Sequence, residues 1–320
     1  MDHPVSRAEL PDWAADMVDL HAHAAPSLLP RHGNEVQTVA AERAVGFSTV
    51  VLKSHEGSTV ERAATVDQDG VYGGIVLNSP VGGANPDAVE VAARLGGRVV
   101  WMPTVSSATH KAGATSPELN VHQGFELRLV EVFDGDKLLP AWHDVLDVIA
   151  AHDLVLASGH LAADETVRLF QAAAARGVHR LLVNHPKMPF LGWHDDAATE
   201  LRTLGAHLEL GILPDLLGPA DATSLELLDG YPHELLVFGG EPAEEGDRAV
   251  EDLTADAVAG QEGDGGHGSS SFRPLVVRMV CAVCAPTRSS RPCSHCGTAA
   301  SGVGWWACPR SPPNTSSSCG

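Results

Sequence analysis

"MVDLHAHAAPSLLPRHG", residues 17–33, is the stretch from which the rest of the chain can be read. An apolar run, Met17 to Leu20, ends in two histidines one residue apart, His21 and His23. A strand alternates its side chains, so both rings fall on one face if the strand continues. Two neutral imidazoles on one face can chelate a single divalent ion. The plainer alternative is two polar residues that close a strand.

Outward from this stretch, short β-branched runs alternate with Ala- and Leu-rich amphipathic segments as far as Phe238. The strand candidates are residues 17–21, 48–53, 72–78, 98–104, 154–160, 180–185, 207–211 and 234–238. Helix candidates between them include "EVQTVAAERAVG", "PDAVEVAARLGG", "PAWHDVLDVIAAHD", "ADETVRLFQAAAARG" and "AATELRTLG", several of which end at a glycine, as helices do. Strands too apolar to face water on one side imply a parallel sheet covered by helices. Eight of them predict an α/β chain folded as a (β/α)8 TIM-like barrel. A doubly wound open sheet is the competing architecture; it needs fewer strands, and no Gly-rich phosphate loop follows the first one. A longer insert, residues 105–140, carries "FELRLVEVFDGDKLLP", which reads as a β-hairpin turning at Asp134-Gly135-Asp136.

Composition narrows the function. Hydrophobic residues make up 44% of the 320, enough for a large core, and the formal net charge is -20. So acidic a chain is repelled by nucleic acid phosphates and anionic lipid, so neither is an expected partner. The N-terminus lacks a basic segment followed by an apolar one, and no apolar stretch approaches the ~20 residues that span a bilayer. The expectation is a soluble, cytoplasmic protein that acts on a small molecule.

In a barrel of this kind, reactive side chains sit at the C-terminal ends of strands. His21 ends the first strand candidate, His160 the fifth and His185 the sixth, while His55 lies just beyond the second. Histidines contributed to one rim by separate strands converge. A metal held there would lower the pKa of a bound water to ~7 and polarise a carbonyl. With 17 histidines in the chain, rim residues that bind nothing are the alternative.

At these residues the chain resembles the amidohydrolase superfamily of metal-dependent hydrolases. "DLHAHAAPSLLPR", "VLKSHEGST", "YGGIVLN", "GGRVVWMPTVS" and "LVNHP" resemble more closely an uncharacterised amidohydrolase-like branch, over roughly residues 16–238. The resemblance implies a divalent metal at the rim, zinc first, with manganese or iron as alternatives. It implies hydrolysis of an amide, ester or lactone-type bond. By position, His21, His23 and His160 are metal ligands, and His185 is a ligand or orients water and substrate. The superfamily's carboxylated lysine has no counterpart at the tip of the fourth strand. Lys53, at the end of the second, is either a plain rim cation or a catalytic clamp on an anionic substrate or bound carbonyl. His55 and Glu56 follow it as substrate-binding candidates, with His110 of the insert a further one. The superfamily's strand-eight Asp is also missing: "ELLVFGGEPAEEG" offers Glu241 as the nearest carboxylate and no Asp before Asp247. Loss of that base implies impaired proton transfer.

After Phe238 the text changes. The division is a barrel over residues 1–240, an acidic linker over 241–266 and a disordered Cys-, Ser- and Pro-rich tail over 267–320. "DRAVEDLTADAVAG" is the one candidate for the last helix. All six cysteines, Cys281, Cys284, Cys293, Cys296, Cys308 and Cys319, lie in the tail, so the barrel is not a disulfide scaffold. The tail has the look of a reading frame shifted near residues 239–265. Its alternative is a small zinc ribbon built on "CAVC" and "CSHCG". Two other functional classes stay open: a phosphoesterase of the polymerase-and-histidinol-phosphatase type, which also opens with His-x-His, and a non-catalytic barrel with a zinc-binding interaction tail. An incomplete barrel would expose apolar surface and favour homo-oligomers.

Overall fold

The computed structural model describes residues 17–44, 46–114, 126–211 and 224–240. In chain order the strands are β1 (Met17–His23), β2 (Phe47–Lys53), β3 (Val71–Val76), β4 (Val99–Trp101), β5 (Phe133–Asp134), β6 (Lys137–Leu138), β7 (Val155–Ala157), β8 (Leu181–Val183), β9 (His207–Gly211) and β10 (Leu236–Gly239). The helices are α1 (Glu35–Ala44), α2 (Val60–Val66), α3 (Pro86–Arg94), α4 (Ala108–Ala112), α5 (Pro140–Ala151), α6 (Ala163–Ala175), α7 (Asp195–Thr203) and α8 (Leu227–Gly230). Every one of the eight strand candidates is a strand, in one parallel sheet of order β1-β2-β3-β4-β7-β8-β9-β10. Helices lie between them, giving a nearly closed TIM-like barrel. Across the seam, the Gly240 N–H donates to Asp19 Oδ1 at 2.9 Å, and Phe47 of β2 stacks on Phe238 of β10 at 5.4 Å.

The helices close over the sheet by helical period. In α5, Trp142, Val145, Leu146 and Ile149 are buried, and in α6, Thr166, Leu169, Phe170 and Ala173. Both sets follow i, i+3, i+4, i+7, which lines one face. Each large aliphatic side chain so buried contributes about 1.5–3 kcal/mol. The insert does contain the expected hairpin, reduced to two residues per strand, with Phe133 opposite Leu138 and Asp134 opposite Lys137. The turn is therefore Gly135-Asp136, with Gly135 at φ 57°.

β1 carries a bulge. Asp19 pairs with Val50 and Ala22 with Leu52, so three steps on β1 match two on β2. An extra residue of this kind re-aims side chains next to a site. Here it puts Asp19 in register with Val50, which packs in one small cluster with Val39 of α1. His23 instead pairs with Lys53. Among the described residues no helix is long and apolar enough to cross a membrane. The proposed linker, tail, last helix, Glu241 and all six cysteines lie outside the described residues.

Candidate active site at the barrel mouth

Five imidazoles form a closed circle beyond the C-terminal ends of the strands. Ring centroids lie 5.1 Å apart for His21–His23, 4.8 Å for His23–His55, 5.9 Å for His55–His160, 5.1 Å for His160–His185 and 5.7 Å for His185–His21. His110, from α4 in the insert, stacks on His160 at 4.9 Å, with the two Nδ1 atoms 2.8 Å apart. All six are buried. Burial, joined by neighbouring positive groups, holds His21, His23 and His160 well below the ordinary histidine range. Burial takes His185 to about 3, against the pull of Glu209, and His110 to about 4. Four rings of the circle, His21, His23, His160 and His185, and His110 beside it, are thus held in the neutral form.

Each ring is held by its local chain. His23 ends β1 itself. His160 follows Gly159, whose φ is 61° and whose added Cβ would meet Met102 O at 2.3 Å, so only glycine lets the chain turn there. The His160 N–H donates to Pro103 O at 3.0 Å, and Ser107 Oγ donates to His160 O at 2.8 Å. His185 has a φ of 25°, a strained conformation of the kind that clusters at functional sites. His55 Nδ1 lies 2.8 Å from Thr104 Oγ1. Asn78, after β3, fixes that pair: its Nδ2 donates to His55 O and Thr104 Oγ1, and its Oδ1 accepts from Thr104 N and Ser106 N.

A carboxylate stands behind His21. Glu209, on β9, accepts at Oε1 from His21 Nδ1 at 2.9 Å and at Oε2 from Asn184 Nδ2 at 2.6 Å. With that tautomer, His21 Nε2 is left as an acceptor and lies 2.7 Å from Lys53 Nζ. Burial raises the Glu209 pKa, against the attraction of His185 and Lys53. At the tip of β10, where the absent Asp was expected, there are two glycines. A Cβ on Gly239 would fall 2.5 Å from Glu209 Cδ, and one on Gly240 2.4 Å from Asp19 Oδ2. The space beside the last strand is therefore filled by carboxylates from β9 and β1. Burial pushes Asp19 up to about 7, opposed by the Gly240 and His21 N–H groups, and raises Glu42 of α1, with Asp19 adding to the effect.

The structure brings His21, His23, His55, His160, His185 and Lys53 together, with His110 beside them. Lys53 is buried, its Nζ also 5.5 Å above the Trp101 ring. Glu56 turns elsewhere. It accepts from Ser27 Oγ and Leu28 N at 2.7 Å each, and from Ser54 Oγ, so that it fastens the loop after β1. Burial acts to raise its pKa, but these hydrogen bonds hold it below the usual value. The sequence reading passed over Glu209, Asn184, Asn78 and Asp19. The available signal was a polar residue inside or at the end of an otherwise apolar strand, as in "HLELG", "LLVNH" and "IVLNS".

The donor set fits a divalent ion in kind and in spacing. Two imidazoles on one tetrahedral zinc, with Zn–N near 2.0 Å, have ring centroids about 5 Å apart. The His21–His23 and His160–His185 separations, both 5.1 Å, match. Orientation is a different matter: among the described residues no three His, Cys, Asp or Glu side chains already present their donor atoms to one ion. The rings are instead paired with Lys53, Thr104 and one another.

Fold and site together define a (β/α)8-barrel protein with a histidine-lined mouth. The chain belongs to a family described as a family of unknown function (DUF6282), whose model matches residues 16–209. Comparison with curated proteins gives no match. Among solved structures the chain is similar to a metallo peptidase from Rhodobacter sphaeroides liganded with a phosphinate mimic of L-Ala-D-Ala, at 18% identity, over 76% of this chain and 72% of that one, with a TM-score of 0.40. It is also similar to a 2,6-dihydroxybenzoate decarboxylase from Rhizobium, at 12% identity over 82% and 95%, TM-score 0.40. A dipeptidase of metallopeptidase family M19 matches at 13% over 80% and 69%, TM-score 0.40. With TM-scores below 0.5, these likenesses assign no activity to the chain.

Proposed function

We propose that the chain is an amidohydrolase-like, metal-dependent hydrolase of the cytoplasm that acts on an amide, ester or lactone-type bond of a small molecule. The observation that carries this reading is the closed circle of five imidazoles at the barrel mouth, the usual site of barrel chemistry. His21, His23 and His160 would hold the ion, with His185 as a further ligand or as the group that orients water and substrate. When bound, a divalent cation, zinc first and manganese or iron as alternatives, acidifies a water and polarises the bond to be cleaved. Glu209 orients His21 and fixes its tautomer through Nδ1, as carboxylates behind ligating histidines do. Lys53 brings three donors to the same cavity, suited to a carbonyl oxygen or an anionic group.

Elemental mass spectrometry on the purified full chain tests the reading. About one or two equivalents of zinc, manganese or iron are expected, with loss in His21→Ala and in His160→Ala. Folded protein whose metal content is unchanged by both substitutions would refute it.

A further inference from the structure

His55 is held by a network that runs across three successive strand ends. His55 follows β2, Asn78 follows β3 and Thr104 follows β4, and all three are buried. Asn78 Oδ1 accepts from Thr104 N at 2.8 Å and from Ser106 N at 3.2 Å. Two backbone N–H groups can face only the oxygen of an amide, so the main chain fixes which way Asn78 points. Its Nδ2 then donates both hydrogens, to His55 O at 2.9 Å and to Thr104 Oγ1 at 2.7 Å. Asn78 O is used as well, accepting from Val81 N and Gly83 N at 3.2 Å each. The asparagine is left no freedom to turn.

The consequence reaches the imidazole. Thr104 Oγ1 accepts from Asn78, so its own proton needs an acceptor. His55 Nδ1 lies 2.8 Å away, and among the described residues no other group accepts from this hydroxyl. Were Nδ1 protonated, it and Asn78 would both donate to Thr104, and a buried hydroxyl proton would be left unsatisfied, which is costly. The hydroxyl therefore donates to Nδ1, and the ring carries its proton on Nε2, at its opposite edge. His21 is the reverse: Glu209 takes its Nδ1–H and leaves Nε2 with the lone pair. An ion needs that lone pair, whereas the Nε2–H of His55 is a hydrogen-bond donor. The His55 ring stands in the circle, 4.8 Å from His23 and 5.9 Å from His160.

We propose that His55 is a hydrogen-bond donor to a substrate oxygen and not a metal ligand, and that Asn78 and Thr104 are positioning residues that lock its tautomer. The lock stands on hydrogen bonds alone, while the substrate role rests on the hydrolase reading. The oxygen so bound is the carbonyl oxygen of the amide, ester or lactone, where negative charge gathers as water attacks. A donor already oriented there stabilises that charge with no reorganisation. The circle thus divides its work by tautomer: His21 offers a lone pair and His55 a proton.

Nitrogen-15 NMR on the full chain labelled at histidine tests the tautomer, with His55→Gln to assign the signals. His55 is expected with Nε2 protonated and Nδ1 bare. Thr104→Ser, which keeps the hydroxyl, should preserve that pattern, and Thr104→Val, with native circular dichroism, should mix the two tautomers. Acetate, a small oxygen acceptor, should shift the Nε2 signal on titration, and its affinity should fall about tenfold in His55→Phe. Metal retention in His55→Gln should match wild type, unlike that in His21→Ala. The proposal is overturned if wild-type His55 carries its proton on Nδ1, or if folded Thr104→Val keeps the wild-type tautomer. It is overturned too if acetate at tens of millimolar leaves the Nε2 signal unmoved, or if His55→Gln loses metal. The wild-type spectrum decides even where Thr104→Val does not fold. Wild type without metal, yet with His55 protonated at Nε2 and responsive to acetate, would instead remove the hydrolase reading and leave the donor standing.

Discussion

Glu209 Oε1 and His21 Nδ1 are 2.9 Å apart, although 188 positions separate the two residues in the chain. The pair joins β9 to β1 and dictates which nitrogen of His21 is left for other chemistry. Glu209→Gln keeps the shape and a hydrogen bond but removes the charge that favours the ligating form. Metal retention should fall about 10–100-fold. Competition with a chelator measures this, and thermal melting should show a folded protein.

Lys53 bears on the same nitrogen from the opposite side. Its ammonium lies 2.7 Å from His21 Nε2, the atom an ion would take, so the two compete. Lys53→Met, of similar length and uncharged, removes both the competitor and its repulsion. Metal retention is expected to rise several-fold while hydrolytic activity drops. Chelator competition and turnover on the same preparation check both halves.

Gly239 leaves the room that Glu209 occupies. In Gly239→Ala the new methyl would stand 2.5 Å from Glu209 Cδ and 2.7 Å from Oε1. Overpacking of this kind costs about 1–3 kcal/mol. Urea unfolding should show that loss, and the double variant Gly239→Ala, Glu209→Ala should be less destabilised than the sum of its single variants, because they share one space.

His207, at the start of β9, gives a pH dependence separate from the circle. It is buried, and burial lowers its pKa from 6.5 to about 4, against a backbone hydrogen bond at Gly205. The unfolded chain therefore binds the proton more tightly. Stability from this group is complete above the unfolded value and is lost as pH falls from about 6.5 to about 4, up to roughly 3 kcal/mol in all. Urea midpoints at neutral pH and near pH 4 should converge more in His207→Gln than in wild type. Parallel acid losses in the two proteins would refute the assignment.

The eight strands were legible because a parallel sheet is buried on both faces, which leaves continuous apolar runs such as "STVVLK". The histidines of the mouth were legible for a related reason: a barrel puts strand ends on one rim, and the ends carried His. What supports them was harder to see. Glu209 lies in a five-residue strand and reads there as an ordinary exposed position. Its counterpart, the Gly239-Gly240 pair, reads as a turn. Only side chains crossing from neighbouring strands reveal that the glycines are vacated space. The bulge of β1 is equally silent, because an extra residue in a strand leaves no mark in composition.

The seam between β10 and β1 also bears on the order of folding. Gly240 meets Asp19 over 221 positions of chain. Contacts so distant in sequence carry the largest loop-closure cost and slow folding accordingly. The local βα units can gather early, but His21 gains Glu209 only when the first and ninth strands are both in the sheet. The carboxylate–imidazole pair is therefore expected late in folding, once β1 and β9 both stand in the sheet.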